Sequence, residues 1–150
     1  LVGGLAMNLH GVPRMTLDVD LILALDPQNL EQFLLAAADL KLKPTIPVQL
    51  EDLLSPDLRR AWAIEKNMIA FPLAPRDPMG PTVDILIDPP IEVEAALKRA
   101  EHRRLDDVNV PVASIEDMIR LKENTGRAQD QADIEHLHRI QGGGHGGRHS

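Results

Sequence analysis

The sequence has no cysteine, which removes disulfides, thiolate zinc sites and cysteine nucleophiles from consideration. Tyrosine is absent too, and Trp62, Phe33 and Phe71 are the whole aromatic set, so the core is expected to be aliphatic. No apolar run approaches the length of a membrane span, and no secretory signal pattern opens the chain. A soluble, cytoplasmic protein with no membrane partner is therefore expected. Positive charge is scarce: 16 Lys and Arg stand against 23 Asp and Glu, a formal charge of −7. That balance argues against broad, non-specific nucleic-acid binding, which needs many cations for phosphates. A local basic groove stays open, because Lys98, Arg99, His102, Arg103 and Arg104 fall within seven residues. This cluster reads first as a solvated helix end. A length of 150 residues suits one domain.

What the chain does have is concentrated near its start. Leu1-Val2 run into Gly3-Gly4; thirteen residues later comes Asp18-Val19-Asp20-Leu21-Ile22-Leu23. Successive side chains of a strand alternate faces, so Asp18 and Asp20 project from one face roughly 7 Å apart. Two acids on one face of an apolar strand repel each other and resist desolvation unless a cation sits between them. Hard carboxylate oxygens suit Mg²⁺ or Mn²⁺. Gly4 to His10 reads as a short helix packing through Leu5, Ala6 and Leu9, with His10 capping terminal carbonyls and Gly11-Val12-Pro13 ending it. A glycine turn opening a helix offers backbone N–H groups to phosphate.

Further along, the acidic strand is expected to run to about Leu25. Asp26-Pro27 caps a helix over about 27–40, and Ser55-Pro56 caps another running through Ile64. Pro44 to Pro47 reads as a connector or short strand, and Met68 to Leu73 as a strand. Thr82 to Ile87 is a strand that places Thr82, Asp84 and Leu86 on one face, so Asp84 is a lone acid in apolar surroundings. A helix over roughly 91–103 follows, then a turn and short strand over 107–112. Ser114 opens a helix with an acid at the third position. On that helix Lys122 falls at the centre of the apolar face, with Ile115, Met118 and Ile119. Beyond Gly126-Arg127 the last helix places Asp130 and Asp133 in the arc of Ile134, Leu137 and Ile140, which invites pairing with Lys122. Residues 141–150 have flexible Gly/His-rich linker composition; His136, His138, His145 and His149 are read as bystanders.

The string from Gly3-Gly4-Leu5-Ala6 through Arg14-Met15-Thr16 to Asp18-Val19-Asp20 resembles the signature of the DNA polymerase β-like nucleotidyltransferases. Within that superfamily it looks like the minimal bacterial branch related to AbiEii-type toxins. The segment from Leu121-Lys122 to Gly126-Arg127 and Asp130-x-x-Asp133-Ile134 resembles that branch's C-terminal part. The resemblance spans residues 1–140 and implies an α/β (α+β) nucleotidyltransferase fold, a small mixed sheet flanked by helices. A helix and a full strand normally precede the Gly-Gly turn in the family, and here they appear to be missing.

The resemblance implies transfer of a nucleoside monophosphate from an NTP to a hydroxyl of RNA, protein or a small molecule. Asp18, Asp20 and Asp84 would be the catalytic acids and the ligands of two Mg²⁺ or Mn²⁺ ions. Gly3, Gly4, Arg14, Thr16 and Lys122 would bind the nucleotide, while Arg127, Asp130 and Asp133 are read as structural. The setting implied is a toxin–antitoxin pair with a cognate partner protein. An inactive module of the same fold, acting by binding a partner or a nucleotide, is the alternative. With only Leu1-Val2 as first strand, an exposed sheet edge and bare Leu5 and Leu9 lead to the expectation of a homodimer through residues 1–10.

Overall fold

A computed structural model describes residues 1–143. The architecture is mixed α+β, with one small four-stranded mixed sheet and a separate two-stranded ribbon. Helix α1 (Gly3–Leu9) leads by an extended loop to β1 (Val19–Leu21). Helix α2 (Pro27–Asp39) starts as its sequence dictates: the Asp26 carboxylate accepts from the Asn29 N–H, and Pro27 occupies the first turn. Strand β2 (Lys43–Pro44), a 3₁₀ turn (Leu50–Leu54) and α3 (Pro56–Glu65) come next. Then follow β3 (Ala70–Ala74), β4 (Val83–Leu86), α4 (Val93–Arg99), β5 (Glu101–Leu105) and β6 (Val108–Val112). The helices α5 (Ile115–Lys122) and α6 (Ala128–Gly143) complete the described chain.

Strand order is β1-β4-β3-β2, with β1 and β4 parallel and the other pairs antiparallel. One face carries Phe71, Leu73 and Ile85, buried against Ala37 of α2, Leu53 and Trp62 of α3. The Trp62 and Phe71 rings lie 5.3 Å apart, and Phe33 packs against the same cluster, so all three aromatics are spent in this one layer. A second aliphatic core joins α1, α5 and α6 through Ala6, Met7, Met118, Ile119 and Leu137, with Ile22 and Leu86 of the opposite sheet face at its edge. That second core covers only one end of the face, which leaves the carboxylate rows of β1 and β4 open to the cleft described below.

Several boundaries differ from the sequence reading. Strand β1 ends at Leu21 rather than near Leu25, where Leu25 is already exposed. The helix expected over 91–103 stops at Arg99, and Glu101–Leu105 pairs with Val108–Val112 as a hairpin. The basic run is therefore half helix and half ribbon. Its charges are partly consumed, with Arg99 on Asp117 and Arg103 on Glu101. Helix α6 continues to Gly143, so residues 141–143 are helical rather than linker; the rest of the expected linker, residues 144–150 with His145 and His149, lies outside the described residues.

The bare edge expected at Leu1-Val2 is also corrected. The Val2 N–H donates to the Asp20 carbonyl at 2.9 Å, and the Leu1 nitrogen donates to Pro111 at 2.8 Å. The Leu1 carbonyl in turn accepts from Ala113 at 3.0 Å. Residues 1–2 are thus laced between β1 and the end of β6, and Leu1 and Leu9 pack on the second core. The edge at residues 1–2 is thus covered from within the chain, while Leu5 stays half-exposed outside the core. No helix among the described residues is long and apolar enough to cross a membrane.

Candidate functional site

The site is built where α1 meets β1. Gly3 has φ +71, and a Cβ there would lie 2.0 Å from Asp20 Oδ2, so the Asp20 carboxylate occupies the space a side chain would fill. Gly4 is pressed in the same way on Thr16, whose Cγ2 would lie 2.9 Å from a Cβ. The Gly4 backbone N–H lies close enough to hold the Asp20 pKa down in part. Both glycines are thus required by contact with two of the predicted site residues.

Asp20 and Asp84 face each other directly across the parallel β1–β4 pair. Neighbouring strands are about 4.8 Å apart, so the two carboxylates share one face at close quarters. Burial raises the Asp20 pKa first, and repulsion from Asp84 and Asp18 raises it further; the Lys122 charge and the Gly4 N–H offset part of this. Asp84 is raised by burial and then by Asp18. Three acids therefore crowd one field without an opposing cation of equal strength. Asp18, the most exposed of them, lies just before β1 rather than on it, and accepts a 2.6 Å hydrogen bond from the hydroxyl of Thr82, which just precedes β4. The sequence reading placed Thr82 on the Asp84 face but gave it no part. Among the described residues no three His, Asp or Glu side chains are grouped closely enough to hold a metal ion.

The wall opposite the acids is cationic and tightly held. Lys122 Nζ donates to Asp133 Oδ2 at 2.9 Å and to Asp130 Oδ1 at 3.5 Å. Arg14 donates to the same Asp133 oxygen through a short bond. Thr125 and Arg127 complete the Asp130 shell, and Gln129 reaches Asp133. Burial alone would raise both acids, but hydrogen bonds from Thr125 and Lys122 to Asp130, and from Lys122 and Arg14 to Asp133, bring them below the ordinary carboxylate range. The pairing of Lys122 with the α6 acids follows the sequence reading; the capture of Arg14 by Asp133, across 119 positions, does not. A cleft of about 300 Å³ brings Gly3, Gly4, Arg14, Asp20 and Lys122 together, with Ala70 on the far wall. Thr16, Asp18 and Asp84 flank it through their contacts with Gly4, Thr82 and Asp20.

His10 departs from its expected role. It is buried, and Nε2 lies 2.7 Å from the Ala113 carbonyl on another segment rather than on its own helix end. It ties α1 to the start of α5 and takes no part in the cleft.

No model of a known protein family matches this chain, and no curated protein matches it.

Proposed function

We propose that the chain is a metal-dependent nucleotidyltransferase of the DNA polymerase β-like superfamily, moving a nucleoside monophosphate from an NTP to a hydroxyl. The observation that carries the reading is the Asp20–Asp84 pair, in register on parallel strands, with Asp20 lining a cleft together with Arg14 and Lys122. Oxygen donors that repel one another suit a hard divalent cation in chemistry, and Asp18, Asp20 and Asp84 are the residues that would hold Mg²⁺ or Mn²⁺, on drawing closer together than they stand here. Such ions, when bound, supply neutralisation of charge on the attacking and leaving oxygens.

The chain's own groups do the rest. The acceptor oxygen forms a bond to the α-phosphorus while the bond to the pyrophosphate oxygen breaks. Asp84, whose raised pKa makes it a better base than an ordinary carboxylate, accepts the hydroxyl proton. Lys122 and Arg14 keep donors beyond those spent on Asp130 and Asp133, and these meet the phosphates. Gly3 leaves room for the Asp20 carboxylate, and Gly4 for Thr16.

The second reading is a module of the same fold that binds a nucleotide without transfer. Incubation with labelled NTPs, Mg²⁺ and total RNA or lysate separates the two. Label transferred to RNA, protein or a small molecule supports the transferase. Label retained only on the chain, without covalent transfer, supports the second reading, and no retention at all overturns both.

A further inference from the structure

A separate cleft of about 460 Å³ opens just past the C-terminal ends of β1 and β4. Its lining is aliphatic, with Ile22, Leu23 and Leu25 following β1, Ile87 following β4, and Leu30 and Ala63 contributed by α2 and α3. The volume lies within the ~300–1,000 Å³ of small-ligand sites. In sheets with parallel strands, the crevice beyond their carboxyl ends is where ligands bind. The mouth is bare: Leu25 is 47% and Ile64 70% exposed.

One group in this cleft is unaccounted for. Arg59 is half-buried, donates to the Leu53 carbonyl, and forms no ion pair among the described residues. Burial lowers its pKa, as expected for a cation losing water without gaining a counter-charge. Arg60 stands at the same rim, where its contact with Asp57 is a loose 3.9 Å. Asp88, also at the lip, pairs with neither arginine. A partly desolvated cation beside an aliphatic cleft is complementary to a molecule with an apolar body and an anionic head.

We propose that this cleft binds a small amphipathic carboxylate, its chain lying on Ile22, Leu23, Leu25 and Ile87 and its head group on the Arg59 guanidinium. The site is independent of the proposed transfer reaction, but it shares two strands with it. Ile22 follows Asp20 by two positions and Ile87 follows Asp84 by three, so an occupant braces the strands that carry the acids.

The test is binding, read without any activity. Trp62 is the only tryptophan and neighbours Ala63 of the lining, so its fluorescence reports occupancy. The full chain is titrated with decanoate and with decanol, both below their micellar concentrations. Saturable one-to-one binding of decanoate, about tenfold tighter than decanol, is expected from one charge-assisted contact. Arg59→Met is expected to bring decanoate down to the level of decanol, and Arg59→Lys to restore part of the difference. Because Arg59 also supports Leu53, folding is checked by circular dichroism, and Leu25→Glu, a change at an exposed position, serves as a second variant. It sets a like charge in the mouth and should abolish decanoate binding. Equal affinity for acid and alcohol, indifference to Arg59→Met and Leu25→Glu, or no saturable binding of either probe overturns the proposal. The last result would leave the cleft as a surface for a protein segment.

Discussion

Lys122 and Asp133 are joined by a 2.9 Å bond that fastens the end of α5 to the second turn of α6. Asp133 is 1% exposed and also holds Arg14, so a single buried carboxylate fixes both cations of the cleft. The arrangement orients positive charge toward Asp20 while neutralising α6 from within. Position and stability are therefore coupled at this point.

Replacing Lys122 with Met tests that coupling. Met fills the same groove, but it strands a buried Asp133 and weakens the Asp130 shell. Removing one partner of a buried ion pair costs roughly 3–5 kcal/mol. A fall of that order in urea-unfolding free energy is expected, together with weaker NTP binding. An unchanged midpoint would show that Arg14 alone neutralises Asp133.

The acid pair gives the opposite sign. Asp20 is raised by burial and by repulsion from Asp84 and Asp18, and Asp84 by burial and by Asp18, so their ionised forms destabilise the fold when no cation is present. Asp20→Asn keeps an acceptor for the Gly4 N–H and removes one charge. Its metal-free melting temperature should hold or rise, while Mn²⁺-dependent nucleotide binding is lost in equilibrium dialysis. A clear drop in metal-free stability would count against the metal-site reading.

How much of this was legible depended on whether a residue's partner lay nearby in sequence. The helix starts at Asp26, Ser55 and Ser114 are local devices, and each caps as read. Strand alternation put Asp18 and Asp20 on one face, but bringing Asp84 beside them came from the motif resemblance; the register Asp20 to Asp84 is what the parallel pairing adds. The hairpin Glu101–Leu105 was hidden because Glu-His-Arg-Arg-Leu has no apolar alternation. Its strand form comes from pairing with Val108–Val112 across a tight turn at Asp106, φ +52. The two-residue Asp106-Asp107 link was the available sign. The Arg14–Asp133 bond and the Thr82 bond to Asp18 join distant segments, and no spacing rule announces them. The nucleotidyltransferase fold rests on the motif resemblance, to which the topology adds a mixed sheet with the acids on one face.

Gly3 offers a sharper check on the site's construction. Gly3→Ala puts a side chain at φ +71, worth about 1–2 kcal/mol, and drives Cβ into the Asp20 carboxylate. The glycine is expected to be intolerant, with a loss exceeding the backbone cost alone. The double variant Gly3→Ala/Asp20→Gly should recover part of it by vacating the contested space. Equal stability losses with and without the Asp20 side chain would show that the clash is relieved elsewhere.

The pH dependence separates the two sets of acids. Asp130 and Asp133 are held below the ordinary carboxylate range. Their stabilisation is fully present above the unfolded value near 4 and is lost as pH falls through the lower folded values. Asp84 behaves oppositely: between the unfolded value and its raised folded value the native chain binds the extra proton, so stability declines as pH rises through that window. Asp84→Asn cancels this second contribution and with it the part of the Asp20 shift that Asp84 causes, which has the same sign. The stability difference between variant and parent should start near zero in acid, grow in the variant's favour through the window, and level off above it. Added Mg²⁺ should reverse the trend in the parent alone, raising its melting temperature more as Asp84 ionises and leaving the variant little changed. Unfolding curves collected across this range, with and without Mg²⁺, decide the matter. A difference that stays flat with pH would show that Asp84 titrates as an ordinary surface acid, and its place as proton acceptor would fall with it.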